Sequence, residues 1–482
     1  MGLKILQVAG EVYPFAKTGG LADVVGALPK SLARLGHDVR VVMPKYQQVT
    51  EEKFPSKPVA TDLFYPLGNE FKSVTIRQWT GGNEVPTYFV DAPEFFDRAQ
   101  LYGHSDDAVR FIAFARAALE MVKALNWTPD VIHCHDWHAG LVPVYVKTLY
   151  AQDLPSTATV FTIHNLAYQG VFGKDVYPLT GLDWSLFNYH QLEFYDQLNF
   201  LKSGLVFADA LNTVSEKYAE EIQTPEYGER LEGLLVARRD RLGGVLNGID
   251  YAEWNPATDS HIAAPYSPDD LSSKAKNKRA LQERCSLNST DGKQVPLMGV
   301  VSRLSGQKGF DLVAEAIDQI MALDVQLVVL GAGDDYYTNL FRSIGERYAG
   351  AASMNFRFDE QLAHQIYAGC DLFLMPSRYE PCGLGQLISL KYGAIPIVRR
   401  TGGLADTIQE FNAESGAGNG FSFEEYSASA LLNAVRNAVN AYRTPSAWQR
   451  VVQNALSCDF SWDASAKKYV DLYEKARGYA RR

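Results

Sequence analysis

Apolar and polar positions alternate along this chain in two rhythms, and the switch between them predicts its elements. Short apolar runs of strand length fall at 4–9, 38–43, 86–90, 131–134 and 159–163 in the first half. Stretches with apolar residues at helical spacing lie between them, at 20–34 and 107–126. A passage at 247–268 breaks the pattern with Asn-Gly, Asn-Pro and three prolines, and reads as a linker. The rhythm then resumes, with strands at 296–301, 325–330, 372–375 and 395–398 and helices at 310–323, 361–368 and 384–392. The last stretch, 462–482, is helical and lies beyond the final α/β unit. Strands alternating with helices are the mark of parallel, doubly wound sheets. At 482 residues the chain exceeds what one core fills, so two such domains are expected. Their predicted limits are 1–250 and 251–460, with a closing helix at 461–482.

One hexapeptide occurs twice. Thr18-Gly19-Gly20-Leu21-Ala22-Asp23 recurs as Thr401-Gly402-Gly403-Leu404-Ala405-Asp406, with Lys17 before the first copy and Arg400 before the second. Each copy follows an apolar run and leads into a helix-like stretch. Such a strand–turn–helix start presents free backbone N–H groups and the positive end of the helix dipole, which together can hold an anion. Two copies at opposite ends of the chain point to two α/β halves acting on one phosphorylated ligand.

Charge and cysteine content narrow the class. A formal charge of −10, with no run of Lys or Arg, argues against nucleic-acid binding. Anionic ligands must then be met by a few placed bases. The five cysteines are scattered, odd in number and free of CxxC spacing, which suits a reducing compartment better than a disulfide or zinc framework. No apolar stretch is long enough to span a bilayer, so no membrane partner is expected. These features predict a cytoplasmic protein, or one of the plastid stroma once a transit peptide is removed.

In open parallel sheets, ligands bind beyond the carboxyl ends of the strands. The predicted strand ends are rich in polar groups: His133-Cys134-His135-Asp136-Trp137-His138, then His164-Asn165, Asn247-Gly248, Ser302-Arg303 with Gln307-Lys308-Gly309, and Ser377-Arg378-Tyr379-Glu380-Pro381-Cys382-Gly383-Leu384. Several standard sites are absent. His133, His135 and His138 lie close together, but no carboxylate–Cys set completes a zinc tetrahedron, and no metal is expected. The chain lacks DxD, GxxxxGK[ST], HExxH and GxSxG motifs. Tyr336 stands where the third glycine of a dinucleotide fingerprint would fall after Gly331 and Gly333, which disfavours an NAD-linked oxidoreductase.

Taken in order, the Lys17-Thr18-Gly19-Gly20-Leu21 block, His135–Gly140, His164–Gly170, Ser302–Leu304 with Gln307–Gly309, and Glu380–Leu384 resemble the signature blocks of bacterial glycogen synthases and plant starch synthases. The resemblance spans nearly the whole chain. It implies two facing Rossmann-like domains, the GT-B arrangement, with ADP-glucose in the cleft and the C-terminal helix crossing back to the first domain. It implies transfer of glucose to the non-reducing end of glycogen, starch or a malto-oligosaccharide, with retention of the α configuration and release of ADP. ADP-glucose is then a substrate, and no cofactor is expected.

The roles it implies can be named residue by residue. Arg303 and Lys308 grip the diphosphate, aided by Lys17, by the Gly19-Gly20 turn, and by the N–H groups of Thr401, Gly402 and Gly403. Glu380 stands beside the donor sugar within the loop that also supplies Tyr379, Cys382, Gly383 and Leu384. His164, Asn165, Asp136 and Asn247 bond glucose hydroxyls, Phe358 stacks on adenine, and Trp137 either stacks on the acceptor or packs in an aromatic core. Lys17 and Lys308 lie in different halves, so a hinged closure on ADP is expected. Two departures stand out. A second glutamate common in GT-B enzymes is replaced by Ile388, eight positions after Glu380, leaving the ribose contact unassigned. Phe358 stands where relatives often carry a tyrosine, which weakens the basis for choosing ADP over UDP. Competing readings are a GT-B transferase with UDP-glucose or another acceptor, and a non-catalytic glucan-binding scaffold. Oligomeric state is not legible.

Overall fold

The computed structural model describes residues 2–82, 84–290 and 293–481. Its contacts divide the chain into two units, Met1–Asn247 with Trp462–Arg482, and Gly248–Ser461.

Unit 1 contains, in chain order, β1 (Lys4–Val8), β2 (Asp38–Pro44), β3 (Ser56–Leu67), β4 (Glu70–Trp79), β5 (Thr87–Asp91), β6 (Val131–His135), β7 (Ala158–Ile163), a small sheet of β8 (Val171–Gly173), β9 (Glu193–Phe194) and β10 (Gln197–Asn199), then β11 (Ala210–Thr213) and β12 (Leu242–Gly244). Among the described residues the large sheet has nine strands in the order β12-β11-β7-β6-β1-β2-β5-β4-β3. It is parallel except for the β3–β4 hairpin at one edge. That hairpin, absent from the sequence-based expectation, alternates only loosely because its side chains are largely solvated and its register shifts twice near Ala60. Leu28, Leu32 and Val24 of helix Gly20–Arg34 pack with Trp462, Ala466, Tyr469 and Tyr473 of helix Trp462–Ala480 and with Ile5, Val131 and Val160 of the central strands. The C-terminal helix is thus part of unit 1's core.

Unit 2 holds β13 (Leu297–Val301), β14 (Gln326–Leu330), β15 (Ala352–Asn355), β16 (Leu372–Met375), β17 (Ile395–Arg399) and β18 (Phe421–Phe423). Among the described residues they form a six-stranded parallel sheet ordered β15-β14-β13-β16-β17-β18. Alternate residues feed different cores: Leu327 and Val329 enter one cluster, Val328 and Leu330 the other. A sheet covered on both faces explains why its strands read as unbroken apolar runs.

The passage at 247–268 is not a free linker. Ile249 and Tyr266 are buried in unit 2, Tyr251 and Trp254 pack on the same cluster, and the Tyr266 hydroxyl donates to the Tyr392 carbonyl at 2.8 Å. Its turn residues mark a wall of unit 2 and not a tether. No described helix is long and apolar enough to cross a membrane.

Candidate active site

In unit 1 the parallel register Val8↔Cys134 and His135↔Thr162 brings the segments after β1, β6 and β7 to one edge of the sheet. Glu11, Asp136 and His164 come from these three segments. Asp136 takes φ +53° and ψ −174°, a region that disfavours any side chain and costs on the order of 1–3 kcal/mol. It is held there by its N–H on the Thr162 carbonyl at 3.0 Å and by its Oδ1, which accepts the His164 N–H at 2.7 Å. Burial, opposed by the His164 N–H and reinforced by the Glu11 charge, pushes its carboxyl up to about 8. Strain at a buried carboxyl on a sheet's ligand edge is a functional signature.

A chain of hydrogen bonds fixes the neighbouring imidazoles. The Gln7 amide N–H donates to the Tyr473 hydroxyl at 3.0 Å, so its Oε1 is the acceptor for His135 Nε2 at 2.7 Å. His135 Nδ1 is therefore unprotonated and accepts from His164 Nε2 at 2.9 Å. By elimination, His164 Nδ1 carries a lone pair. Behind them, His133 bonds the Tyr473 hydroxyl at 2.9 Å and Thr162 Oγ1 at 2.6 Å. Burial holds His133, His135 and His138 well below the usual imidazole range and lowers His164 to about 3. All four are neutral at physiological pH; the rings of His133 and His135 are committed to neutral partners, whereas both nitrogens of buried His138 lack a hydrogen-bond partner among the described residues.

The first Gly-Gly turn holds an anion already. Glu11 Oε2 accepts the N–H groups of Thr18 and, at 3.3 Å, Gly19, while the Thr18 hydroxyl lies 3.0 Å from both carboxylate oxygens. Lys17 pairs with Asp23 at 2.6 Å. Gly20 opens helix Gly20–Arg34 on the surface. Asn165 is half-buried and its Oδ1 caps the Ala167 N–H at 3.1 Å, while buried Asn247 leaves its Oδ1 without a partner. Trp137 does not present a stacking face. It is 8% exposed, with Phe111 at 4.8 Å and His138 at 4.1 Å, so the expectation of acceptor stacking is corrected to aromatic core packing.

In unit 2 the loops after β13 and β16 are laced together. The Arg378 N–H donates to the Gln307 carbonyl at 2.8 Å, and the Gln307 amide to the Tyr379 carbonyl at 3.2 Å. Gly309, at φ +72°, lets this approach happen: an added Cβ would lie 2.0 Å from the Pro376 oxygen. The lacing brings Lys308 Nζ to 2.6 Å from Glu380 Oε2, which also accepts from the Ser377 hydroxyl at 2.9 Å. Glu380 is 6% exposed. Arg303 is exposed; its carbonyl accepts the Ser302 hydroxyl at 3.3 Å, and its guanidinium makes no hydrogen bond or ion pair among the described residues. Gly383 takes φ +74°, Cys382 is buried, Tyr379 is half-buried, and Leu384 precedes helix Gly385–Lys391.

The second Gly-Gly turn differs from expectation. The Gly403 N–H is shared between the Glu380 and Pro381 carbonyls at 3.2 Å each, and the Thr401 N–H bonds the Arg399 carbonyl at 3.0 Å. Thr401, Gly402 and Gly403 are buried. The Gly403 N–H supports the Glu380 loop and that of Thr401 closes on its own strand end, so neither is an open phosphate donor. Phe358, at 90% exposure, offers an open ring beside the start of helix Glu360–Gly369. Ile388 is core, so the ribose role is not carried at that position.

Sequence reasoning missed Glu11, Gln7 and Tyr473, and gave no role to Ser377, which it placed among the polar strand ends. Glu11 was findable, since it directly follows the first strand run, where ligand groups collect. Gln7 and Tyr473 meet across 466 positions of sequence, beyond any local pattern.

Two family models match the chain: starch synthase catalytic domain over residues 4–237 and glycosyl transferases group 1 over residues 288–455. The glycogen synthase of Moorella thermoacetica is 48% identical over 480 residues, covering 98% of this chain and 97% of the relative. That of Thermotoga petrophila is 49% identical over 482 residues, covering 98% and 99%. Among solved structures, the catalytic domain of starch synthase IV from Arabidopsis thaliana, bound to ADP and acarbose, superposes with a TM-score of 0.92 at 36% identity, covering 99% of this chain and 100% of that one. Sucrose-phosphate synthase from Thermosynechococcus elongatus shares the fold at a TM-score of 0.60 and 16% identity, covering 98% of each.

Proposed function

This chain belongs to the glycogen and starch synthase family of GT-B glycosyltransferases, and from that premise we propose that it transfers glucose from ADP-glucose to the non-reducing end of an α-1,4-glucan, keeping the α configuration and releasing ADP. The observation that carries the proposal is the laced pair of loops in unit 2, where Lys308 and Glu380 meet at 2.6 Å; Arg303, five positions before Lys308, has a guanidinium with no ion pair among the described residues. A diphosphate gains negative charge as its bond to the anomeric carbon breaks. Fixed cations at that charge lower the barrier, and one such donor is worth about 3–4 kcal/mol. Arg303 and Lys308 serve this role. Lys17 is assigned a supporting one, for which it would exchange Asp23 for phosphate.

A double displacement needs a nucleophilic carboxylate with a second carboxylate about 5–5.5 Å away. Glu380 has one oxygen committed to both Lys308 and Ser377, which suits a hydrogen-bonding partner of the sugar more than a nucleophile. We therefore favour front-face substitution. The C1–O bond to the diphosphate breaks with its electron pair leaving on ADP, the acceptor hydroxyl attacks C1 from the same face, and its proton passes to the departing phosphate oxygen. His164, through its Nδ1 lone pair, and Asn165, Asp136 and Asn247 are assigned to sugar hydroxyls, and exposed Phe358 to the adenine face. No cofactor enters these steps. The compartment proposed is the cytoplasm, or the plastid stroma, where five free thiols stay reduced.

An ADP- or UDP-release assay with glycogen and each sugar nucleotide tests the donor. ADP-glucose should support turnover at least about tenfold faster than UDP-glucose, a difference of about 1.4 kcal/mol. Equal rates, or none with either donor, would count against the proposal.

A further inference from the structure

We infer that unit 2 carries a divalent-cation site formed by Glu253, Glu360 and His364, suited to a borderline transition ion such as Zn²⁺ and separate from every residue assigned to glucosyl transfer. Glu360 and His364 stand four positions apart on helix Glu360–Gly369, which places them on one face. Glu253 comes from the passage that opens unit 2. One ligand atom from each of the three lies within 4.8 Å of the other two. A zinc ion sits about 2.0–2.2 Å from such ligands, so binding would draw the three together, and Glu360 is exposed and has room to turn.

The decisive group is His364. Its side chain is 2% exposed, and its Nδ1 bonds Asp259 Oδ2 at 2.8 Å. Asp259 is itself fixed by the Tyr392 hydroxyl at 2.6 Å. The imidazole stacks on Trp254 at 4.1 Å with an interplanar angle of 13°, so it cannot turn freely. Its other nitrogen, Nε2, is buried and has no hydrogen-bond partner among the described residues. A buried nitrogen left unbonded costs free energy and calls for an occupant. A carboxylate on one ring nitrogen, with the other left for a metal, is the arrangement that orients histidine ligands of zinc and raises their basicity. One imidazole and two carboxylates favour Zn²⁺, Co²⁺ or Ni²⁺ over Mg²⁺ and Ca²⁺, which prefer all-oxygen shells. Three protein ligands leave a position for water. Bound there, the ion would cross-link the opening passage of unit 2 to the helix that follows Phe358.

The test uses the full chain, stripped with a chelator and dialysed. Zn²⁺ is titrated calorimetrically, and Co²⁺ by its visible absorption. We expect one equivalent bound, with Glu360→Gln and Glu253→Gln each weakening affinity about tenfold or more. His364→Gln should abolish binding, but it also removes the Asp259 contact. Glu360→Gln is therefore the decisive variant: it should melt like the parent in chelator and retain the parent's glucosyl-transfer rate there, while losing the stabilisation that Zn²⁺ gives the parent. Absence of binding up to about 1 mM, which corresponds to about −4 kcal/mol, would overturn the site. So would binding that neither glutamate variant alters, which would place the ion elsewhere and leave His364 as an ion-pair partner only.

Discussion

The hexapeptides at 18–23 and 401–406 are identical, yet their glycines live in opposite surroundings. Around Gly19 and Gly20 an added Cβ would find nothing within 4 Å, and Gly19 is extended at φ −153°. At Gly402, φ is +44° and a Cβ would lie 2.0 Å from the Glu380 carbonyl oxygen; at Gly403 it would lie 2.1 Å from that of Cys382. The first copy starts a long helix of 15 residues at the surface, with the Glu11 carboxylate on its Thr18 and Gly19 N–H groups. The second is buried and braces the loop that carries Glu380. A short motif fixes what a backbone can offer. Its neighbours decide whether an anion, a carboxylate of the chain or a carbonyl takes the offer.

The difference should be largest at Gly402. Gly402→Ala strains a left-handed residue and forces the Glu380 carbonyl to move. Displacing a reacting group by about 1 Å costs about a hundredfold in rate, so turnover in an ADP-release assay should fall by that factor. Near-normal turnover would break the contrast between the two copies.

The surroundings of the first copy titrate, which gives the second prediction. The native His133, His135, His138 and His164 are held below their unfolded value near about 6.5, so below that pH the unfolded chain binds more protons. Their contribution is lost as pH falls, at about 1.4 kcal/mol per pH unit for each group. Asp136 acts in the other direction. Raised to about 8, it binds more protons in the native state, so its contribution is lost as pH rises from about 4 to about 8. Unit 1 should therefore be most stable near about pH 6.5, with a steep acid side and a shallow alkaline one. Thermal melts from acid to alkaline pH check this, and Asp136→Asn should flatten the alkaline side while steepening the acid side above about pH 4.

Third, Tyr473→Phe removes the hydroxyl that orients Gln7 and His133. Loss of about 1.4 kcal/mol of positioning would lower kcat about tenfold with little change in KM for the acceptor. The tautomer of His164, read by nitrogen NMR of the imidazole, should become mixed. A variant with one retained tautomer would show that the relay from the C-terminal helix is idle. The smallest effect belongs to Gly20→Ala, which should change stability by less than about 0.5 kcal/mol, since the site is open and its backbone is ordinary.

Periodicity located most of the parallel framework, and helix Gly20–Arg34 falls on its predicted limits because its start and its apolar stripe are both local signals. The β3–β4 hairpin escaped because solvated edge strands lack a clean alternation. The charged residues Arg303, Lys308 and Glu380 were legible from their place after strands, and Lys308 and Glu380 prove to be in contact. Trp137 stayed open between acceptor stacking and core packing because sequence cannot say which side of an aromatic residue faces the core, and in the structure it packs against Phe111. The turn at 401–403 departs from expectation because the Gly403 N–H is taken by the Glu380 loop, about twenty residues away, which local turn chemistry does not reveal.

The central claim is glucosyl transfer from ADP-glucose at the site containing Glu380. Its most direct test is the rate at which the parent chain and Glu380→Gln extend maltoheptaose with ADP-glucose, the products resolved by linkage. The parent should add α-1,4-linked glucose to the non-reducing end. The variant, still folded and still binding ADP, should be slower by about a hundredfold or more, as expected when a group facing the transition state is lost. Equal rates for the two proteins, or products lacking α-1,4 extension, would contradict the account.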